Sequence, residues 1–168
     1  MSSDPAFEKL VKLYYGDLYR FGLSLTGSEA DACDLTQETF YIWANKRHQI
    51  NSPAHVKGWL FTTLYREFLK ICRRQTRLAH APLDETVAGL PDMAADCANR
   101  IDSQTLVAFL GEIEAEFRAP LVLYYIEDLS YQEIADALEI PLGTVQSRIA
   151  RAKIKLLQRL NETNPANK

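Results

Sequence analysis

The sequence predicts an all-α chain of two small helical modules joined by a flexible linker. Three observations carry that expectation. Apolar residues recur at helical spacing from Phe7 to Ile71, and again from Leu106 to Leu156. Between these runs, "RLAHAPLDETVAGLPDMAADCAN" has two prolines, a glycine, several alanines and no sustained period. No strand-type alternation or internal repeat competes with the helical reading. At 168 residues the chain is long enough for one ordinary domain or two small ones. The expected boundaries are 1–77, a linker over 78–100, 101–163, and a short tail over 164–168.

The first long helix is set by Phe7, Leu10, Val11, Tyr14, Leu18, Phe21 and Leu25, which share one face. Gly27 is a natural stop, and Ser28 with Asp31 three residues on is a natural restart. Leu35, Thr39, Ile42 and Trp43 give the next helix its buried side. "KRHQINSP" breaks the pattern, and Pro53 can open a third helix at its first turn. Val56, Leu60, Thr63, Leu64, Phe68 and Ile71 carry that helix to about residue 75. After the linker, Leu106, Phe109, Leu110 and Ile113 mark one helix, and "APLVLYYIED" marks another with Pro120 near its start.

Charge narrows the partners. The formal net charge is −3, against a nucleic-acid-coating protein. Yet residues 107–139 hold eight acids and one Arg, whereas residues 146–160 hold five cations and no acid. Residues 64–78 are basic too, with Arg66, Lys70, Arg73, Arg74 and Arg77 against Glu67. Two separated basic stretches in an acidic chain imply two directed contacts with polyanion. No signal peptide or membrane-length apolar run is visible, so a cytoplasmic location without membrane insertion is expected. Cys33, Cys72 and Cys97 form no CxxC, so no metal, cofactor or disulfide framework is indicated.

The stretch "LSYQEIADALEIPLGTVQSRIARAKIKLL" reads as two short helices with a tight joint. Ser130 and Glu133 form an S-x-x-E capping box. Tyr131, Ile134, Ala135 and Leu138 line the inner face of the first helix, and Pro141 and Gly143 mark the joint. Val145, Ile149, Ala152 and Leu156 face inward on the second. Thr144, Ser147, Arg148, Arg151 and Lys155 then fall outward, with Gln146 at their flank. Arg pairs with guanine, Gln with adenine, and cations neutralise phosphate. A helix of this size fits the major groove when a partner helix props it there. An ordinary surface helix can also carry five cations on a solvated face; the cap, the small Ala135 and the short joint favour a DNA-reading helix-turn-helix. Glu139 and Ile140 occupy the turn, where glycine is common.

This stretch resembles region 4 of bacterial sigma factors, over roughly residues 116–157. "DACDLTQETFYIW", residues 31–43, resembles sigma region 2.2, and "VKGWLFTTLYREFLKICRR" resembles regions 2.3 and 2.4. The order and the short length fit the extracytoplasmic-function (ECF) class of the sigma-70 family. That resemblance implies a chain that binds core RNA polymerase and directs promoter recognition, melting and initiation, with polymerase doing the chemistry. It implies that Asp31, Asp34, Gln37, Glu38, Phe40 and Tyr41 dock on the clamp helices of the β′ subunit. Asn51, His55, Lys57, Trp59, Thr62, Tyr65, Arg66, Lys70, Arg73 and Arg74 would hold the unpaired −10 strand. An interleaving of aromatic and cationic groups suits single-stranded DNA. Ser130, Tyr131, Thr144, Gln146, Ser147, Arg148, Arg151 and Lys155, with Ala150 beside them, would meet the duplex −35 element. The surface around Leu121 to Ile126 would bind the β flap, and an anti-sigma factor is an expected partner. Departures from the family pattern are Tyr65, Arg66 and Lys70 in the −10 helix and Gln146 in the −35 helix.

Two other classes compete with this reading. Glu112, Glu114 and Glu116, spaced by two, are spread around a helix and do not converge as an acid–base site. His48, His55 and His80 lack metal-ligand spacing. An enzyme is therefore not expected. A helix-turn-helix regulator with a ligand- or protein-sensing N-terminal module is the nearer alternative, but it needs neither "DLTQETF" nor the basic–aromatic helix.

Overall fold

The computed structural model describes residues 5–47, 56–76 and 103–163. All regular structure among them is helical: α1 (Pro5–Thr26), α2 (Glu29–Lys46), α3 (Val56–Thr76), α4 (Ser103–Glu112), α5 (Ala115–Tyr125), α6 (Tyr131–Leu138) and α7 (Leu142–Thr163). They build two compact units, the first on α1–α3 and the second on α4, α5, α7 and the first turn of α6. The expected linker and tail, the "NSPAH" loop with Asn51 and His55, and His48 and His80 lie outside the described residues.

In the first unit, α1 stops where Gly27 takes a left-handed φ of +67°. Ser28 then caps α2, its Oγ accepting from the Asp31 N–H at 3.3 Å. Gly22 of α1 faces α2, where a Cβ would stand 3.5 Å from Ala32, in ordinary contact. Leu18, Phe21 and Leu25 of α1 meet Leu35, Thr39 and Trp43 of α2 and Leu60, Phe61, Leu64 and Phe68 of α3 in one core. Phe21 and Phe61 pack edge to face with centroids 5.5 Å apart. Thr36 and Thr39 are fully buried, and each hydroxyl donates to the carbonyl four residues back at 2.7 Å, which removes the cost of burying it. Ile71, expected on the apolar face of α3, is exposed at the helix's outer end.

In the second unit, α5 begins a turn earlier than expected, so Pro120 lies inside it. Arg118, the one cation of the acidic block, is buried; its Nη1 donates to the Leu110 carbonyl at 2.9 Å, tying α5 to the end of α4. Burial lowers its guanidinium pKa. The capping box of α6 closes both ways: Ser130 N–H donates to Glu133 Oε2 at 2.8 Å, and Glu133 N–H donates to Ser130 Oγ at 3.3 Å. Glu139 takes φ +57° just past α6, and Ile140 N–H returns to the Ala135 carbonyl at 3.1 Å. That is the left-handed cap glycine usually provides. Val145, Ile149, Ala152 and Leu156 are buried as their spacing predicts.

Candidate nucleic-acid interface

On α2, Asp31, Asp34, Gln37, Glu38 and Tyr41 are exposed along one stripe, with Tyr41 65 % exposed. Gln37 Nε2 lies 3.1 Å from Cys33 Sγ, which orients the amide. Phe40 departs from the expectation. It is only 5 % exposed, edge to face with Phe7 and stacked on Tyr15, so its ring belongs to the core. One position along a helix turns a side chain by about 100°, and that places Tyr41 outside and Phe40 inside.

On α3, Arg66, Lys70, Arg73 and Arg74 are exposed, Lys57, Trp59 and Thr62 are half-buried, and Tyr65 is buried against Phe21 and Phe68. Tyr65 is thus a core ring rather than a stacking platform. Thr62 Oγ1 donates to the Gly58 carbonyl at 2.8 Å, and Lys70 pairs with Glu67 at 2.6 Å. The exposed side of α3 is thus a cationic helix edge, with the half-buried Trp59 near its N-terminal end.

The second unit changes the meaning of the basic helix most. Arg148 pairs with Glu116 at 3.2 Å, Lys155 with Glu114, and Arg159 with Glu112 and Glu162. Glu112, Glu114 and Glu116 do converge, because the break between α4 and α5 falls among them and aims all three at α7. Arg151 lies over the Phe117 ring at 5.7 Å and Lys153 over the Tyr125 ring at 5.3 Å. All five cations of α7 therefore have partners inside their own unit. The Arg159 and Lys155 hydrogen bonds hold the Glu112 and Glu114 carboxyls below their ordinary pKa. Ala150 is buried, and Thr144 and Ser147 are half-buried, with Ser147 Oγ donating to the Thr144 carbonyl at 3.1 Å. Ser130 is exposed at the α6 cap, and Tyr131 is half-buried against Tyr124 with centroids 4.9 Å apart. Gln146 is the exposed polar side chain on the first turns of α7. Around Leu121 to Ile126, only Tyr125 and Ile126 are well exposed; Leu121, Val122 and Leu123 are core.

Among the described residues, no group of three His, Cys, Asp or Glu side chains could hold a metal, and no helix is long and apolar enough to cross a membrane. A three-helix unit with an acidic stripe and a cationic edge, followed by a helix-turn-helix unit, is the build of a transcription protein. Comparison with known proteins narrows the class to a family. Residues 10–78 match Sigma-70 region 2, and residues 103–156 match Sigma-70, region 4. The chain is 36 % identical over 159 residues to the ECF RNA polymerase sigma factor SigE of Mycolicibacterium smegmatis, covering 90 % of this chain and 60 % of that relative's length. It is 30 % identical to the ECF RNA polymerase sigma factor SigM of Bacillus subtilis, covering 89 % of this chain and 91 % of the relative. Among solved structures, the sigma factor RpoE in complex with the anti-sigma factor NepR from Bartonella quintana aligns over 96 % of this chain and all of the other, at 26 % identity and TM-score 0.75. The chain belongs to the ECF RNA polymerase sigma factors.

Proposed function

We propose that the chain binds core RNA polymerase through the α2 stripe, holds the melted −10 strand with α3 and the preceding loop, and reads duplex −35 DNA with α6 and α7. Residues 1–77 and 101–163 are the two working modules, and 78–100 spans between them. Polymerase supplies the chemistry, so the chain is no enzyme, and it acts in the cytoplasm. Tyr125 and Ile126 are the proposed contact for the β flap. An anti-sigma factor is the further partner; RpoE, a structural neighbour, is held by one.

The observation that carries this reading is the two-sided build of α2. Leu35, Thr36, Thr39 and Trp43 are buried on one side, while Asp34, Gln37, Glu38 and Tyr41 stand exposed on the other. Carboxylates around an exposed aromatic ring form a protein-binding surface complementary to a basic partner. The test is capture of core RNA polymerase by wild type and by Asp34→Arg with Glu38→Arg. Capture by wild type and loss in the double variant is expected. Failure of wild type to capture core, with duplex binding retained, refutes the proposal in favour of a free-standing regulator.

A further inference from the structure

On α2 the Cys33 thiol stands at the margin between the buried side of the helix and its exposed stripe. It is half-buried, and two polar groups reach its sulfur. Gln37, one turn on along the same helix, brings Nε2 to 3.1 Å, and Tyr15 of α1 brings its hydroxyl to 3.8 Å. Tyr15 is itself fixed by stacking on Tyr19 and Phe40, with interplanar angles of 6° and 5°. Gln37 is exposed in the stripe with Asp34, Glu38 and Tyr41. Its amide therefore belongs to the outer surface, while one of its N–H groups is turned inward to sulfur.

A glutamine amide both donates and accepts, and which face it shows is set by the hydrogen bonds around it. The flanking carboxylates of Asp34 and Glu38 only accept. The partner that suits them presents guanidinium or ammonium groups, which only donate. A Gln37 that turned its N–H outward there would set donor against donor. We propose that Cys33 is a positioning residue for polymerase docking: its sulfur takes a Gln37 N–H and leaves the Gln37 carbonyl oxygen facing the partner. The stripe then accepts at every polar position. This rests on the proposed docking of the α2 stripe and names what sets the polarity of one of its contacts. Sulfur is a weak acceptor, so the gain comes from holding the amide in its bound orientation and not from the strength of the bond.

The experiment titrates core RNA polymerase with the full chain and measures the cost of Cys33→Ala in three backgrounds. With Gln37 in place the expected cost is about fivefold in Kd, the ordering of one long polar side chain at an interface. In Gln37→Ala that cost should vanish, because no amide remains to be oriented. In Gln37→Glu it should vanish as well, because a carboxylate accepts through both oxygens and needs no neighbour to turn it. A packing role for Cys33 alone would give the same loss in all three backgrounds. That result, or no loss with Gln37 present, overturns the inference and leaves the docking reading standing. Failure of the wild-type chain to bind core overturns the inference and the docking reading together.

Discussion

Neutralising the three glutamates that face α7 should turn a weak DNA binder into a stronger and more salt-sensitive one. In the native chain a phosphate that approaches Arg148, Lys155 or Arg159 competes with Glu116, Glu114 or Glu112. With all three glutamates changed to Gln, Arg148 and Lys155 are released to phosphate while Arg159 keeps Glu162, and each new contact expels about one counterion. The slope of log affinity against log salt then steepens by about 0.9 per cation, or about 1.8 for two. Across a fourfold change in salt, from about 200 to about 50 mM, that amounts to about 12-fold more gain for the variant than for wild type. The assay is fluorescence anisotropy of a labelled duplex with the full chain across that salt range. The control neutralises three exposed acids of the first unit, Glu8, Glu29 and Glu38, which removes the same net charge without releasing any α7 cation. Equal slopes for the variant, the control and wild type would refute the idea that internal acids occupy the phosphate-binding groups.

Three further outcomes are expected. Phe40→Ala should cost about 3–5 kcal/mol of stability in a denaturant melt. Its neighbour Tyr41→Ala should change stability by less than about 0.5 kcal/mol yet weaken capture of core polymerase about tenfold. The same substitution at two glycines should have opposite signs. Gly22→Ala, inside α1 and within ordinary contact distance of Ala32, should stabilise by about 0.5–1 kcal/mol; Gly27→Ala, at φ +67°, should destabilise by about 1–2 kcal/mol although nothing crowds its Cβ. Finally, Glu112 and Glu114 have pKa values depressed in the fold below the ordinary 4.5. Their contribution to stability is complete above that value and is lost as pH falls through it toward the depressed values. Thermal melts from about pH 6 to about pH 3 should show that decline, and Glu114→Gln should make it shallower.

Helix positions, caps and cores were legible because they depend on period and on local hydrogen bonds. The Ser28 and Ser130 caps and the inner face of α7 need only neighbours in sequence, and each forms as spacing predicts. Side chains at the margin of a face were not legible. Phe40 and Tyr65 sit where a helical wheel permits either side, and only the rings of Phe7, Tyr15, Phe21 and Phe68 decide for the core. The partners of the α7 cations were also hidden. Glu112 and Arg159 are 47 residues apart, so no local window joins them. Spacing by two looked divergent for Glu112, Glu114 and Glu116 on the assumption of one continuous helix. The break between Glu112 and Ala115 removes that assumption. One signal was present in the sequence, namely an acidic block followed directly by a basic helix. It is the pattern of two segments that neutralise each other as well as of one that seeks DNA.

If α7 reads DNA as proposed, its internal ion pairs also explain why a net-acidic chain would carry two polyanion-binding surfaces. If α7 presented five uncommitted cations, its affinity would be dominated by phosphate, which is the same at every site in a genome. Occupying Arg148, Lys155 and Arg159 with Glu116, Glu114 and Glu112 lowers the sequence-independent part of binding and leaves Gln146, exposed on the first turns of α7, to discriminate. The affinity given up at one module is recovered by tethering. Once the α2 stripe is docked on polymerase, the second contact becomes intramolecular, and its effective concentration replaces raw affinity. On that logic, freeing the α7 cations should help the isolated chain bind DNA and harm the holoenzyme's choice among promoters. Competition between the −35 duplex and random duplex should therefore favour the native holoenzyme over the triple Gln variant, although the variant alone binds both duplexes more tightly.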